Sequence, residues 1–271
     1  MYIVSGGYDS KGTCEDDSND LNKYYELGWE CVVSNICIKN LLDLGKISKE
    51  DTVVTNEDRK FIYSSVFDNV IDWDTFKQLN VDKSEIYSVD YLNFSSLVDL
   101  SKVNKELICD FDLIENIEEQ FNITDNFICY CVRLRTHSNY RNSSVEVAKK
   151  VISNVVNNLK MKVFVVGQGA EFLCDNKNVI HVGLREFSSL MNSKKCKGCI
   201  SKLSGIIHLV NFCGHENLVN IIYDPTKDRS KVKNHVLYMS DDINYRNNTN
   251  IFIEMPESES LTMKLINNYI L

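Results

Sequence analysis

Residues 127–166 read FICYCVRLRTHSNYRNSSVEVAKKVISNVVNNLKMKVFVV, and three patterns follow one another in them. Phe127 to Val132 is a short, almost unbroken apolar run, as expected of a strand covered on both faces. After a polar loop, Ser143 is followed three residues on by Glu146, which predicts a capping box with Ser143 as N-cap. Ala148, Val151, Ile152, Val155 and Leu159 then recur at helical spacing. Lys162 to Val166 (KVFVV) then reads as a second strand. Strand, helix and strand in that order form a βαβ unit, which requires a parallel sheet.

The same alternation continues on the C-terminal side. Val179–Val182, Gly198–Ser201 and Leu218–Tyr223 are predicted strands, with helices over Arg185–Met191 and Gly205–Phe212 between them. Five strands joined by short helices predict a Rossmann-like sheet. On the N-terminal side Tyr2–Val4, Thr52–Thr55, Asn69–Asp72 and Glu85–Val89 are strand-like, and Leu21–Leu44 is mostly helical in pattern. The expected class is α/β, with two Rossmann-like domains of parallel sheets. The acidic stretch Asp110–Gln120 marks the expected boundary. The domains then run 1–118 and 119–257, with a terminal helix at 258–271 that could pack back on the N-terminal domain.

Composition bounds the function. The chain has 271 residues, 44% of them hydrophobic and 25% charged, the balance of a globular protein. With 30 Lys and Arg against 38 Asp and Glu, the net charge is −8. That argues against non-specific wrapping of nucleic acid, which needs clustered positive charge. No apolar run reaches the roughly 20 residues of a membrane span. The first residues, MYIVSGG, lack the basic-then-apolar layout of a secretory signal, so a cytoplasmic protein is expected. Cys37, Cys109, Cys129 and Cys131 sit inside apolar runs, which suits buried free thiols in a reducing compartment.

Open parallel sheets bind ligands beyond the carboxyl ends of their strands, against helix N-termini. Three loops lie there. In the first, Ser201-Lys202-Leu203-Ser204-Gly205-Ile206-Ile207-His208, a strand ends in a Ser-Gly turn and a helix begins, which favours a phosphate. It equally fits an ordinary capped helix with His208 in the interior. In the second, Arg133, Arg135, Arg141 and His137 crowd a ten-residue loop. Guanidinium groups grip a diphosphate bidentately, or pair with acidic neighbours on the surface. In the third, Leu184-Arg185-Glu186, the carboxylate of Glu186 suits ribose hydroxyls, or complements the helix dipole. Gly167, in the turn after the second strand, and Lys202 complete the donor-side candidates.

Together these loops resemble the donor-binding half of GT-B-type glycosyltransferases, most of all the ADP-heptose:lipopolysaccharide heptosyltransferase group. The resemblance rests on ISKLSGIIHLVNFCG (200–214), on LVNIIYDP ending at Pro225, and on VIHVGLREFSSLM (179–191). It covers roughly residues 160–225; the N-terminal half is similar in architecture only. It implies that Ser204, Gly205 and Ile206 face the donor diphosphate, that His208 holds the family's His position, and that Glu186 lies near the ribose. One of Arg133, Arg135 and Arg141 then meets the phosphates. The family's acidic residue before the Ser-Gly pair is replaced here by Lys202-Leu203. The resemblance further implies a nucleotide-diphosphate-sugar donor, a hydroxyl acceptor and inversion.

Such a transfer needs a base for the acceptor hydroxyl. The loop Ser5-Gly6-Gly7-Tyr8-Asp9 follows the first strand, so Gly6 and Gly7 are acceptor-side candidates and Asp9 the first candidate base, with Asp16 or Asp17 behind it. A helix start and arginines can stabilise a leaving diphosphate, so neither metal nor other cofactor is required. Four rivals remain: a fucosyltransferase-like enzyme, a non-hydrolysing sugar-nucleotide epimerase, a catalytically inactive nucleotide-sugar binder, and a zinc module built on Cys196, Cys199, Cys213 and His215.

Overall fold

The computed structural model describes residues 1–5, 27, 30–89, 108–134, 142–202, 204–223 and 249–271. They form two units, one ending at Asp112 and the other starting at Leu113.

The first unit is a four-stranded parallel sheet. Its strands are β1 (Tyr2–Ser5), β2 (Thr52–Thr55), β3 (Asn69–Asp72) and β4 (Ile86–Val89), in the order β3-β2-β1-β4. Ile3 lies opposite Val53 on one side and Tyr87 on the other. Helix α1 (Asn35–Asp43) follows a π turn at Glu30–Ser34. It ends at Gly45, whose φ of 65° is the left-handed conformation that closes a helix without a Cβ penalty. Asp72 caps α2 (Trp73–Gln78) by accepting from the Thr75 N–H at 2.7 Å. Trp73 and Phe76 of that helix pack on Val4 and Val54.

The second unit opens with α3 (Ile117–Gln120) and β5 (Phe127–Cys131), whose five residues are all buried. Then come α4 (Val145–Asn157), β6 (Lys162–Val166), β7 (Val179–His181), α5 (Leu184–Asn192), β8 (Cys196–Lys202), α6 (Ile206–Cys213), β9 (Val219–Tyr223), β10 (Thr249–Ile253) and α7 (Glu259–Leu265). The six parallel strands are ordered β10-β9-β8-β5-β6-β7. Counted within the unit this is the doubly wound order 3-2-1-4-5-6, whose switch point lies between β5 and β8. Ala148, Val151, Ile152, Val155 and Val156 of α4 cover Ile128, Tyr130, Val163, Val165 and Ile200.

Three expectations are corrected. The unit boundary falls earlier than residue 118, because Glu118 is bound by Ser193 at 2.6 Å and Lys195 at 2.8 Å, both in the second unit. The N-cap of α4 is Ser144, not Ser143: Ser144 Oγ accepts from the Val147 N–H, while Ser143 Oγ is taken by the Arg133 N–H at 3.1 Å. A sixth strand, β10, pairs with β9 where no strand was expected. The C-terminal helix packs within the second unit: Leu265, Ile266 and Ile270 join the α4 core, and Thr262 bonds the Tyr223 hydroxyl at 2.6 Å.

Eight of the nine described cysteines are buried. Cys131 and Cys199 lie Sγ to Sγ at 3.5 Å on adjacent strands, and burial pushes the Cys129 and Cys199 thiols well up. Among the described residues no helix is long and apolar enough to cross a membrane.

Candidate functional site

The carboxyl ends of β5, β6 and β8 bring most of the described donor-side candidates to one edge of the second sheet. β8 ends at Lys202, and Ser204-Gly205 leads directly into α6. Ser204 and Gly205 are half-buried, whereas Ile206, Ile207 and His208 are buried. The Ser204 and Gly205 carbonyls accept from the Ile207 and His208 N–H groups, both at 3.2 Å, so the turn is already helical. Gly205 has a φ of −57°, open to any residue, so its distinction is the missing side chain at a helix start.

His208 is 1% exposed on α6, and burial lowers its pKa to about 3. The folded chain therefore keeps a neutral imidazole while the unfolded chain takes a proton below about pH 6.5. Stability is lost as the pH falls through that window, by about 1.4 kcal/mol per pH unit for one proton. His208→Gln is expected to flatten the stability curve between pH 6 and 4 by this slope relative to wild type. Identical slopes in urea titrations at several pH values would rule this out.

Arg133 is buried at the end of β5, where its Nη1 donates to Asn142 Oδ1 at 3.1 Å and its carbonyl accepts from the Ser143 N–H at 2.8 Å. It closes the base of the basic loop. Gly167 has a backbone role: φ is 103°, and a Cβ there would lie 2.1 Å from the Val132 carbonyl oxygen. Glu186 sits in the first turn of α5, its carboxylate folded over Gly183. Gly6, Gly7, Asp9, Asp16, Asp17, Arg135 and Arg141 lie outside the described residues.

Lys202 departs furthest from expectation. Its side chain is 6% exposed and its Nζ lies 3.0 Å from Glu257 Oε2, in a carboxylate side chain that is 2% exposed. The Tyr130 hydroxyl donates to the other oxygen, Oε1, and the Ser144 N–H donates to the same carboxylate. The Lys202 ammonium also stands 5.2 Å from the centre of the Tyr223 ring. Burial moves both partners toward their neutral forms, Glu257 up to about 7 and Lys202 down to about 8. Sequence reasoning missed Glu257, Tyr130 and Ser144. One signal was available: Lys202 shares strand parity with buried Ile200, and an inward cation needs a partner.

The first unit carries a second charged group that the sequence did not single out. At the carboxyl end of β2, Glu30 accepts from the Thr55 hydroxyl and from Arg59 Nη1 at 2.9 Å. Lys60 bridges Glu57 at 2.6 Å and Asp72 at 3.0 Å. Glu30 is thus committed to an ion pair rather than poised as a base.

The proposed zinc ligands do not assemble. Cys196 turns to the Gly198 carbonyl, Cys199 to Cys131, and His215 Nε2 lies 2.8 Å from the Cys196 carbonyl oxygen. No group of three or more His, Cys, Asp or Glu able to hold a metal occurs among the described residues.

No protein-family model matches the chain, and no curated protein matches it. Solved structures do. A glycosyl transferase family 9 protein from Veillonella parvula superposes with a TM-score of 0.55 at 11% identity, over 99% of this chain and 96% of that one. The E. coli ADP-heptose lps heptosyltransferase II gives 0.57 at 9% identity, over 99% and 98%. Two parallel-sheet units, matched over nearly the full length of both structures, give this chain the α/β fold of the GT-B glycosyltransferases.

Proposed function

We propose that the chain is a glycosyltransferase that moves a sugar from a nucleotide-diphosphate-sugar donor to a hydroxyl acceptor. The observation that carries this is the Ser204-Gly205 turn. It stands half-exposed at the carboxyl end of β8, opening a helix beside the switch point of a doubly wound sheet. A helix start there offers N–H groups and a positive dipole end to a diphosphate. Arg133, at the end of β5, lies on the same edge, and with Arg135 and Arg141 it is the candidate for stabilising the leaving group without a metal. Glu186 is the candidate ribose ligand, and Asp9, Asp16 and Asp17 remain the candidate bases. Inversion at the anomeric carbon and a cytoplasmic location complete the proposal; the many buried cysteines suit a reducing compartment.

The test is calorimetry with ADP, GDP, UDP, CDP and dTDP, with and without EDTA. One nucleoside diphosphate is expected to bind selectively and to survive EDTA. Gly205→Val is expected to weaken that binding at least about tenfold, the worth of one or two charge-assisted hydrogen bonds. Its backbone φ of −57° is open to valine, and a melting curve matching wild type confirms that the loss reports on the phosphate site. Absence of binding by every diphosphate would remove the proposal.

A further inference from the structure

The Lys202–Glu257 cluster occupies a particular address. Tyr130 is next to last in β5 and Lys202 is last in β8, the two strands that flank the switch point. Ser144 is the N-cap of α4, the helix that leaves β5. In doubly wound folds the first strand, its turn and the start of its helix form the place where a pyrophosphate sits. Here three donors of different kinds converge on it: a backbone N–H, a phenol and an ammonium. The anion they hold is a carboxylate of the chain itself.

That carboxylate is costly to keep there. A buried ion pair rarely stabilises a fold more than apolar side chains of similar volume. A hydrophobic residue at 257 against one at 202 would close the core without desolvating two charges. Glu257 reaches the cradle from the short segment between β10 and α7, whose residues 254–256 are exposed. Ser258 begins α7 without a side-chain cap. The anchor therefore rides on a short surface stretch, while the donors it meets belong to the sheet and to a thirteen-residue helix.

We propose that Tyr130, the Ser144 N–H and Lys202 form an anion site for a phosphoryl group, and that Glu257 fills it in the ligand-free chain and yields it when the ligand arrives. The site is separate from the Ser204-Gly205 turn, although Lys202 lies two residues before Ser204 and so joins the two. A diphosphate spanning both would have one phosphoryl group at the α6 start and one in the cradle. Only this last assignment rests on the transferase proposal.

The experiment is calorimetric titration of inorganic pyrophosphate into wild type, Glu257→Ala, Glu257→Gln and the double variant Glu257→Ala/Lys202→Met. Glu257→Ala is expected to bind pyrophosphate at least about tenfold more tightly than wild type, because the competing anion is gone and the ammonium stays. Glu257→Gln, which keeps the size of the side chain, should gain less. Adding Lys202→Met should cancel the gain. If folded Glu257→Ala and Glu257→Gln bind pyrophosphate no better than wild type, the site does not exist. A parallel titration with nucleoside diphosphates separates the two ideas. A pyrophosphate gain with no nucleotide binding sustains the cradle and sinks the transferase. Nucleotide binding that is indifferent to residue 257 does the reverse.

Discussion

Gly167→Ala is expected to destabilise the second unit by at least about 3 kcal/mol, the upper range for a residue forced into forbidden backbone geometry. Two costs coincide at this position. With φ at 103° an L side chain is strained whatever surrounds it, and the new Cβ would also stand 2.1 Å from the Val132 carbonyl oxygen. That carbonyl belongs to the chain leaving β5, and the Val132 N–H donates to Val166 at 2.8 Å, so neither side can retreat without unzipping the β5–β6 edge. The melting temperature should fall by roughly 10 °C. Gly183→Ala is the control. Its φ is −75° and its Cβ would meet only the mobile carboxylate of Glu186, at 2.6 Å, so a side-chain shift relieves it. Equal melting temperatures for wild type and Gly167→Ala would show that the turn is not built this way.

The second large effect concerns the buried pair. Lys202→Met strands the Glu257 carboxylate at 2% exposure with only Tyr130 and Ser144 as partners, and breaking one side of a buried pair costs about 3–5 kcal/mol. The carboxyl can escape part of that by keeping a proton. Its folded pKa already stands at about 7 against 4.5 when free, and losing the ammonium raises it further. A raised carboxyl pKa means the folded state holds the proton longer, so stability falls as the pH climbs from about 4.5 through the folded value. Lys202→Met should therefore be hurt more near pH 8 than near pH 6. Lys202→Met/Glu257→Met should recover most of the loss, since no charge is left inside. Denaturant titrations of both variants at the two pH values test this; a double variant as weak as the single one would show that the charges are not coupled.

Much of the fold is legible in local pattern, and particular residues show where legibility stops. KVFVV and TVVT are strands over the residues the sequence predicts, because a strand buried in a parallel sheet leaves a dense apolar signature. Thr249–Ile253 escapes because among the described residues it is an edge strand, paired with β9, that begins in an Asn-rich stretch resembling a loop. Ser143 and Ser144 fit a cap equally well by sequence, and a tertiary contact with Arg133 selects between them. The Ser204-Gly205 turn is legible because strand end, turn and helix start are contiguous. The Lys202–Glu257 pair is not, since 55 residues separate a cation that looked fit for a phosphate from the acid that holds it.

The bond from the Tyr130 hydroxyl to Glu257 spans 127 positions of chain. Contacts that far apart pay their loop-closure entropy before they return any stability, which slows folding. The first unit can assemble from strands that all lie before residue 90. The second has its central strands made first, yet β10 and α7, which extend its sheet and cover α4, are made after them. During that interval the apolar faces of β5, β6 and β8 have no cover from the C-terminal segment, and such surfaces are the ones that aggregate or engage chaperones. The second unit is thus the one whose assembly depends on being sheltered while it is made.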